Sequence, residues 1–112
     1  MGTGGPRLVE RRWIEDLRAE EVRLRCAYQR LGKQVVLFTV QLEVMHKDVW
    51  HPAVRYDNAH GFCHRDTLHP DGRQDKTPVF VGDVNATFTH AINDPKANWQ
   101  AYAENFLREV GA

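Results

Sequence analysis

The stretch Arg55-Tyr56-Asp57-Asn58-Ala59-His60-Gly61-Phe62-Cys63-His64-Arg65-Asp66 concentrates more chemically capable side chains than any other part of the chain. Histidine titrates near neutrality, a carboxylate can orient it, and arginine can hold an anion. These are the groups that a metal-independent ribonuclease needs. Histidine moves protons at the 2′-OH or the leaving oxygen, and arginine stabilises the charged phosphoryl transition state. Arg55, Asp57, His60, His64 and Asp66 are therefore the candidate catalytic residues. Arg23 and Arg25 are candidate substrate-binding residues on a neighbouring strand. A purely structural role for the same residues competes with this one. In it, Asp57-Asn58 shapes a turn, Arg55 pairs with Asp57 or Asp66 across strands, and His64 is a surface strand residue.

Other chemistries fit less well. His60-x3-His64 and His64-x4-His69, with Cys63 and Asp66 nearby, resemble ligand spacing. Along a strand, however, His60 and His64 stand about 13 Å apart at roughly 3.3 Å per residue. Only folding of the turn brings them together, so no metal and no cofactor is expected. Cys63 and His64, as strand neighbours, point to opposite faces, which argues against a cysteine nucleophile. Trp13, Trp50 and Trp99 read as core residues rather than as a base-stacking platform.

The elements that position these groups follow from periodicity. Leu8, Val9, Trp13, Ile14 and Leu17 recur at helical spacing, which predicts a short helix over Leu8 to Arg18. Val22, Leu24, Cys26 and Tyr28 alternate with Arg23, Arg25 and Gln29, which predicts a half-buried strand over Glu21 to Arg30. After a turn at Leu31-Gly32-Lys33, Gln34 to Met45 is a long apolar strand. With Arg30 opposite Gln34, residues Val22, Leu24, Cys26, Tyr28, Val36, Phe38, Val40 and Leu42 share one face. His46-Lys47-Asp48-Val49 is the next connection. Trp50 to Asp57 is a third strand, and Phe62 to His69 a fourth. His69-Pro70-Asp71-Gly72 is a turn, and Thr77 to Val81 is a candidate fifth strand. Gly82-Asp83 opens one helix, with Asp83 or Asn85 as N-cap and Val84, Phe88, Ala91 and Ile92 inward. Asp94-Pro95 starts a second, with Trp99, Tyr102, Ala103, Phe106 and Val110 as its apolar stripe. The fold class is α+β: an antiparallel four- to five-stranded meander, a short N-terminal helix, and two C-terminal helices packed on one face.

With Asp57 opposite Phe62, Arg55 lies opposite His64 and Ala53 opposite Asp66. Arg55, Asp57, His64 and Asp66 then share a face, and Val54, Tyr56, Cys63 and Arg65 occupy the other. The direction of that face depends on the connection before it. If Met45 faces Trp50 in an unbroken ladder, Arg55 falls on the side of Val40. A bulge near Pro52 or an odd-length loop instead puts Val54 and Tyr56 over the apolar face. Arg55, Asp57, His64 and Asp66 then join Arg23 and Arg25 on the open face. The second arrangement is preferred, because burying three charges in a small core is costly.

Composition bounds the remaining classes. The chain has 112 residues with 15 Lys/Arg against 15 Asp/Glu, so it lacks the basic excess of a duplex binder. The charge is graded, with residues 1–33 at +3, residues 34–81 at −1 and residues 82–112 at −2. Hydrophobic content of 42% with 27% charged residues reads as globular. Residues 1–6 read as a flexible N-terminus, and 7–112 as a single domain. No apolar run is long enough to span a membrane, no secretory h-region is visible, and Cys26 and Cys63 read as reduced thiols. A cytoplasmic protein is expected. Five of the six histidines fall between positions 46 and 69, so mild acid makes that region locally positive.

Val54-Arg55-Tyr56-Asp57-Asn58-Ala59-His60-Gly61, followed by His64 and Asp66, resembles the Arg-Tyr-Asp-Asn-Ala signature of TumE-type toxins from prokaryotic toxin–antitoxin modules. It is more similar still to small uncharacterised prokaryotic proteins with Tyr-Asp-Asn-Ala-His-Gly-x-x-His-Arg-Asp and an aromatic C-terminal helix. The resemblance covers residues 54–66 and lacks the His-rich run expected downstream. It implies action on RNA or nucleotides and a cognate antitoxin or other small protein as partner. It places Arg55, Asp57, His60 and His64 at shared positions. The alternative from the residues alone is a non-enzymatic interaction module, with a homodimer as one form of it. Neither reading involves a membrane.

Overall fold

The structure, a computed structural model, describes Gly5 and residues 7–111. The expected flexible segment 1–6 therefore lies, Gly5 aside, outside the described residues. Six strands form one antiparallel sheet in chain order: β1 (Leu8–Arg18), β2 (Val22–Leu31), β3 (Gln34–His46), β4 (Val49–Asp57), β5 (His64–Leu68) and β6 (Gln74–Pro78). One helix, α1 (Val84–Gly111), follows and packs mainly on β3, with further contacts to β4 and β2. The α+β class and the antiparallel meander are as the sequence predicts, but the numbers of strands and helices are not.

The expected N-terminal helix is strand β1. Val9, Trp13 and Leu17 are four residues apart, and four is close to a helical turn but also an even strand spacing. The exposed edge of β2 decides between them by offering β1 a ladder that sets Trp13 against Cys26. Trp13 and Leu17 pack on the core, while Leu8 and Ile14 remain exposed.

The β2–β3 register also differs. Leu31, not Arg30, faces Gln34, so Tyr28 meets Phe38, Cys26 meets Val40 and Leu24 meets Leu42. A two-residue shift preserves parity, so nearly the same apolar set shares the core face. Val36 is the exception. It is the extra residue where the register slips, and Val35 is buried in its place. Asn85 explains why the strand bends there. Its Oδ1 accepts the Val35 N–H at 2.8 Å, and its Nδ2 donates to the Lys33 carbonyl at 3.1 Å.

A two-residue turn at Lys47-Asp48, with φ of 51° and 64°, leads into β4. This is the doubly left-handed geometry of a type I′ hairpin. Met45 faces Trp50, yet Leu42 faces Val54 while Glu43 faces Pro52, so Ala53 is an inserted residue. Ala53, Val54 and Tyr56 are all buried, and Arg55 points to the other side. Of the two alternatives that the sequence leaves open, a bulge near Pro52 or an odd-length loop, the structure has the bulge.

The β4–β5 loop is longer than expected. Asp57 faces His64 rather than Phe62, and Arg55 faces Asp66. Asn58 draws the loop back to β3, accepting the Phe38 N–H at 2.9 Å and donating to the Val36 carbonyl at 3.2 Å. Parity again survives a shift of two. β6 begins three residues earlier than the predicted fifth strand and pairs Lys76 with Asp66.

The two expected C-terminal helices are one. Asp83 is the N-cap, its Oδ1 accepting the Ala86 N–H at 2.8 Å. Asp94 is not a cap, and Pro95 lies within the helix, fully buried. Proline withdraws one helical hydrogen bond. The Asp94 carboxylate beside it ties the helix to the sheet, accepting hydrogen bonds from the hydroxyl of Tyr56 on β4 at 2.6 Å and from that of Tyr102 on the helix itself at 2.7 Å. Ala91, Ala103 and Phe106 are buried with Pro95, along the stripe the sequence predicts.

Leu24 is completely buried and Ile14 is half exposed on the opposite face. Leu24→Ala is expected to cost about 2–5 kcal/mol in urea unfolding, and Ile14→Ala about 0.5 kcal/mol or less.

Candidate functional site

The face of the sheet turned away from α1 carries every predicted site residue that lies on a strand. Arg23 and Arg25 stand on β2, Arg55 and Asp57 on β4, and His64 and Asp66 on β5. Between them, β3 supplies two residues that the sequence reading missed. Arg55 donates its Nε to Gln41 Oε1 at 2.7 Å, and Gln41 Nε2 donates to Glu43 Oε2 at 2.6 Å. Glu43 in turn accepts from Arg23 Nε at 2.6 Å and Arg25 Nε at 3.2 Å. One hydrogen-bonded row thus crosses β2, β3 and β4. Burial works to raise the Glu43 pKa, but the bonds from Arg23, Gln41 and Arg25 outweigh it and hold the carboxyl below its ordinary value. Glu43 breaks the apolar run of β3 at an open-face position, which is the sequence signal that marks it.

This row changes the standing of the two predicted binding arginines. Arg23 is mostly buried, paired with Glu43, and its guanidinium lies 4.1 Å over the Trp50 ring. Trp50 is thus an open-face cation–π partner rather than the expected core residue. Arg25 keeps half of its side chain exposed and is the freer cation.

Arg55 does not form the cross-strand ion pair that its register with Asp66 suggests, since its Nε goes to Gln41. Asp66 is only 3% exposed. Lys76 Nζ lies 3.7 Å from its Oδ1, within ion-pair range but beyond a hydrogen bond, and that oxygen has no hydrogen-bond partner among the described residues. His64 is 7% exposed, and its buried Nδ1 likewise has no partner. Such groups are uncommon in folded chains. Asp57 is occupied in shaping the loop, with its Oδ1 accepting the Ala59 N–H at 3.1 Å. His60 is exposed in that loop, and its ring centroid stands 6.4 Å from that of His64. The loop therefore brings together two histidines that a straight strand would hold apart.

Cys63 is buried on the other side, and burial, assisted by Asp57 and Asp66, raises its pKa to about 11. Burial raises Cys26 to about 12. Neither is an activated nucleophile. Among the described residues no three His, Cys, Asp or Glu side chains gather as a metal site. No helix is long and apolar enough to cross a membrane.

Beneath α1 a second polar group supports the first. Asp94 is held below its ordinary pKa by Tyr56, Tyr102 and Asn98 in spite of burial, which acts to raise it. Burial and Asp94 raise both phenols, Tyr102 to about 12. Arg65 lies on this side, opposite Tyr56. Farther along, His69 Nε2 meets Asp75 at 2.6 Å, and its Nδ1 meets Glu109 at 2.8 Å. One imidazole thus joins the β5–β6 hairpin to the end of the helix.

An antiparallel meander backed by a single helix, with paired histidines and an arginine row on its uncovered face, defines a small α+β protein whose candidate site lies on the sheet itself. Residues 8–112 match the family described as Domain of unknown function (DUF7718), and the chain belongs to that family. No curated protein and no solved structure matches the chain.

Hydrogen bonds to Asp75 and then Glu109 raise the His69 pKa above its ordinary value. The sign follows from linkage: a raised folded pKa gives stability that is complete below the unfolded value, near 6.5, and lost as pH rises through the folded one. Urea midpoints are expected to fall over that window in the wild-type chain. In His69→Gln this component of the fall is expected to be absent.

Proposed function

We propose that the chain is a toxin-like protein that acts on RNA or a nucleotide at the open face of the sheet. The pairing of His60 and His64 at 6.4 Å, on the face that also carries Arg55, supports this reading best. One imidazole takes the proton from an attacking hydroxyl and the other gives a proton to the leaving oxygen. Arg55, fixed at Nε by Gln41, offers its remaining guanidinium nitrogens to the phosphoryl oxygens. Asp57 fixes the loop that carries His60, and Asp66 stands directly opposite Arg55, two residues along β5 from His64. Arg25 extends the cationic track toward β1. Two imidazoles supply both proton transfers, so the chemistry needs neither a metal nor a cofactor. A cytoplasmic setting and a cognate antitoxin as partner accompany this reading.

The second reading is a non-enzymatic interaction module, favoured by one patch. Leu8, Leu31, Val36 and Leu37 are exposed at the same end of β1, β2 and β3, with Leu8 directly opposite Leu31. Such a patch suits a small protein partner or a second copy of the chain.

The test is cleavage of a labelled RNA by purified chain in the presence of chelator, together with growth of cells expressing it. His60→Ala, His64→Gln and Arg55→Ala are each expected to lower cleavage by roughly 100- to 10,000-fold, with urea midpoints confirming that the variants fold. A folded wild-type chain that cleaves no RNA and leaves growth unchanged would overturn the enzymatic reading.

A further inference from the structure

Two features stand at opposite ends of β5. At its start, Phe62 and Phe80 lie nearly parallel, at 17° with centroids 6.1 Å apart, and the rings of Phe62 and His64 meet edge to face with centroids 4.7 Å apart. Both are large apolar rings left in solvent, Phe62 at 47% and Phe80 at 81% exposure. Their loops are set by Gly61 and Gly82, with φ of 101° and 104°, the left-handed region that favours glycine. A Cβ at Gly82 would also approach Ala86 Cβ to 3.3 Å, so the turn that presents Phe80 accepts little else.

At the other end, the Ala53 bulge ends the β4–β5 ladder at Val54–Thr67. The strands part beyond it and leave a cavity of about 200 Å³ lined by His51, Arg55, His69, Arg73 and Phe106 among others. No carboxylate lines it, although Asp75 and Glu109 hold His69. Arg55 is held at Nε by Gln41, and Arg73 at Nε by Asp71 at 2.7 Å. Among the described residues nothing accepts from the Nη nitrogens of either. That leaves two oriented donor pairs, the geometry that suits a phosphate.

We propose that the site takes single-stranded nucleic acid, with one unstacked base on the Phe62–Phe80 platform and a backbone phosphate at the Arg55–Arg73 notch. This rests on the nucleotide reading above and names its substrate class. β5 itself, about 13 Å long at 3.3 Å per residue, separates the platform from the notch and carries His64 and Asp66 between them. A stacking platform needs a base free of its neighbours, which a duplex does not offer. The balance of 15 cationic against 15 acidic side chains also disfavours the duplex, whose binding depends on many phosphate contacts.

The test is fluorescence anisotropy with a short fluorescein-labelled RNA, the same strand with abasic positions, and the same strand annealed to its complement. Tight binding to the intact strand alone is expected. Phe80→Ala should weaken that binding by about 5- to 100-fold. Arg73→Gln should weaken it and lower the slope of log affinity against log salt by about 0.7. Equal affinity for abasic or duplex RNA, or unchanged affinity in Phe80→Ala, would overturn the platform while leaving phosphate binding at Arg55 intact. No binding to any strand would overturn the nucleotide reading together with the inference. Self-association in light scattering that Phe80→Ala abolishes, without RNA binding, would assign the rings to a protein contact instead.

Discussion

One inserted residue in β4 decides what each side of the sheet does. At Ala53 the ladder with β3 slips by one, so Ala53 and Val54 are buried in succession and the alternation restarts in the opposite phase. Without the slip, Arg55 would face the helix and Tyr56 the solvent, because a single step of register exchanges the faces of a strand. With it, Tyr56 reaches Asp94, and Arg55 reaches Gln41 on the open side. β5 inherits the same phase through its pairing with β4. That is why His64 and Asp66 lie with Arg55, and Arg65 lies opposite Tyr56.

The two faces are secured by the same device, a carboxylate, buried in Glu43 and half-buried in Asp94, that accepts from several donors. Asp94 binds Tyr56, Tyr102 and Asn98 and locks the helix over the sheet through its own proline. Glu43 binds Arg23, Arg25 and Gln41 and gathers the open face into a row. Hydrogen bonds to a charged group contribute about 1.5–3 kcal/mol each, and leaving such a group without partners costs more than the bonds return. Glu43 therefore restrains the arginines that a ligand would meet. Arg25 and Arg55 remain available, and Arg23 becomes scaffold.

Much of this was legible because parity tolerates error. Over most of their length the predicted pairings of β2 with β3 and of β4 with β5 are off by two residues, and an even shift leaves the side chains on their faces; only Val36, at the slip beside the β2–β3 turn, changes sides. The alternation of Val22, Leu24 and Cys26 with arginines, and the proline in β4, were enough to place Arg55, Asp57, His64 and Asp66 together. What was not legible depended on partners distant in sequence. Val9, Trp13 and Leu17 fit helix and strand equally, and only the edge of β2 chose. Asp94-Pro95 has the pattern of a helix start, and only the phenol of Tyr56 shows that it is a helix interior. Arg23 and Arg25 looked free because Glu43 lies some twenty residues away. The Phe62–Phe80 pair is visible only once β6 returns beside β5.

The face assignment made by the Ala53 bulge underlies the site, and cysteine accessibility tests it most directly. Cys26 and Cys63 are buried with raised pKa values, so the native chain has little thiol background. Single Val54→Cys and Arg55→Cys variants would be titrated with a thiol reagent in native buffer and again in denaturant. The account predicts prompt labelling of Arg55→Cys and protection of Val54→Cys until unfolding. Prompt labelling of Val54→Cys with protection of Arg55→Cys would contradict it.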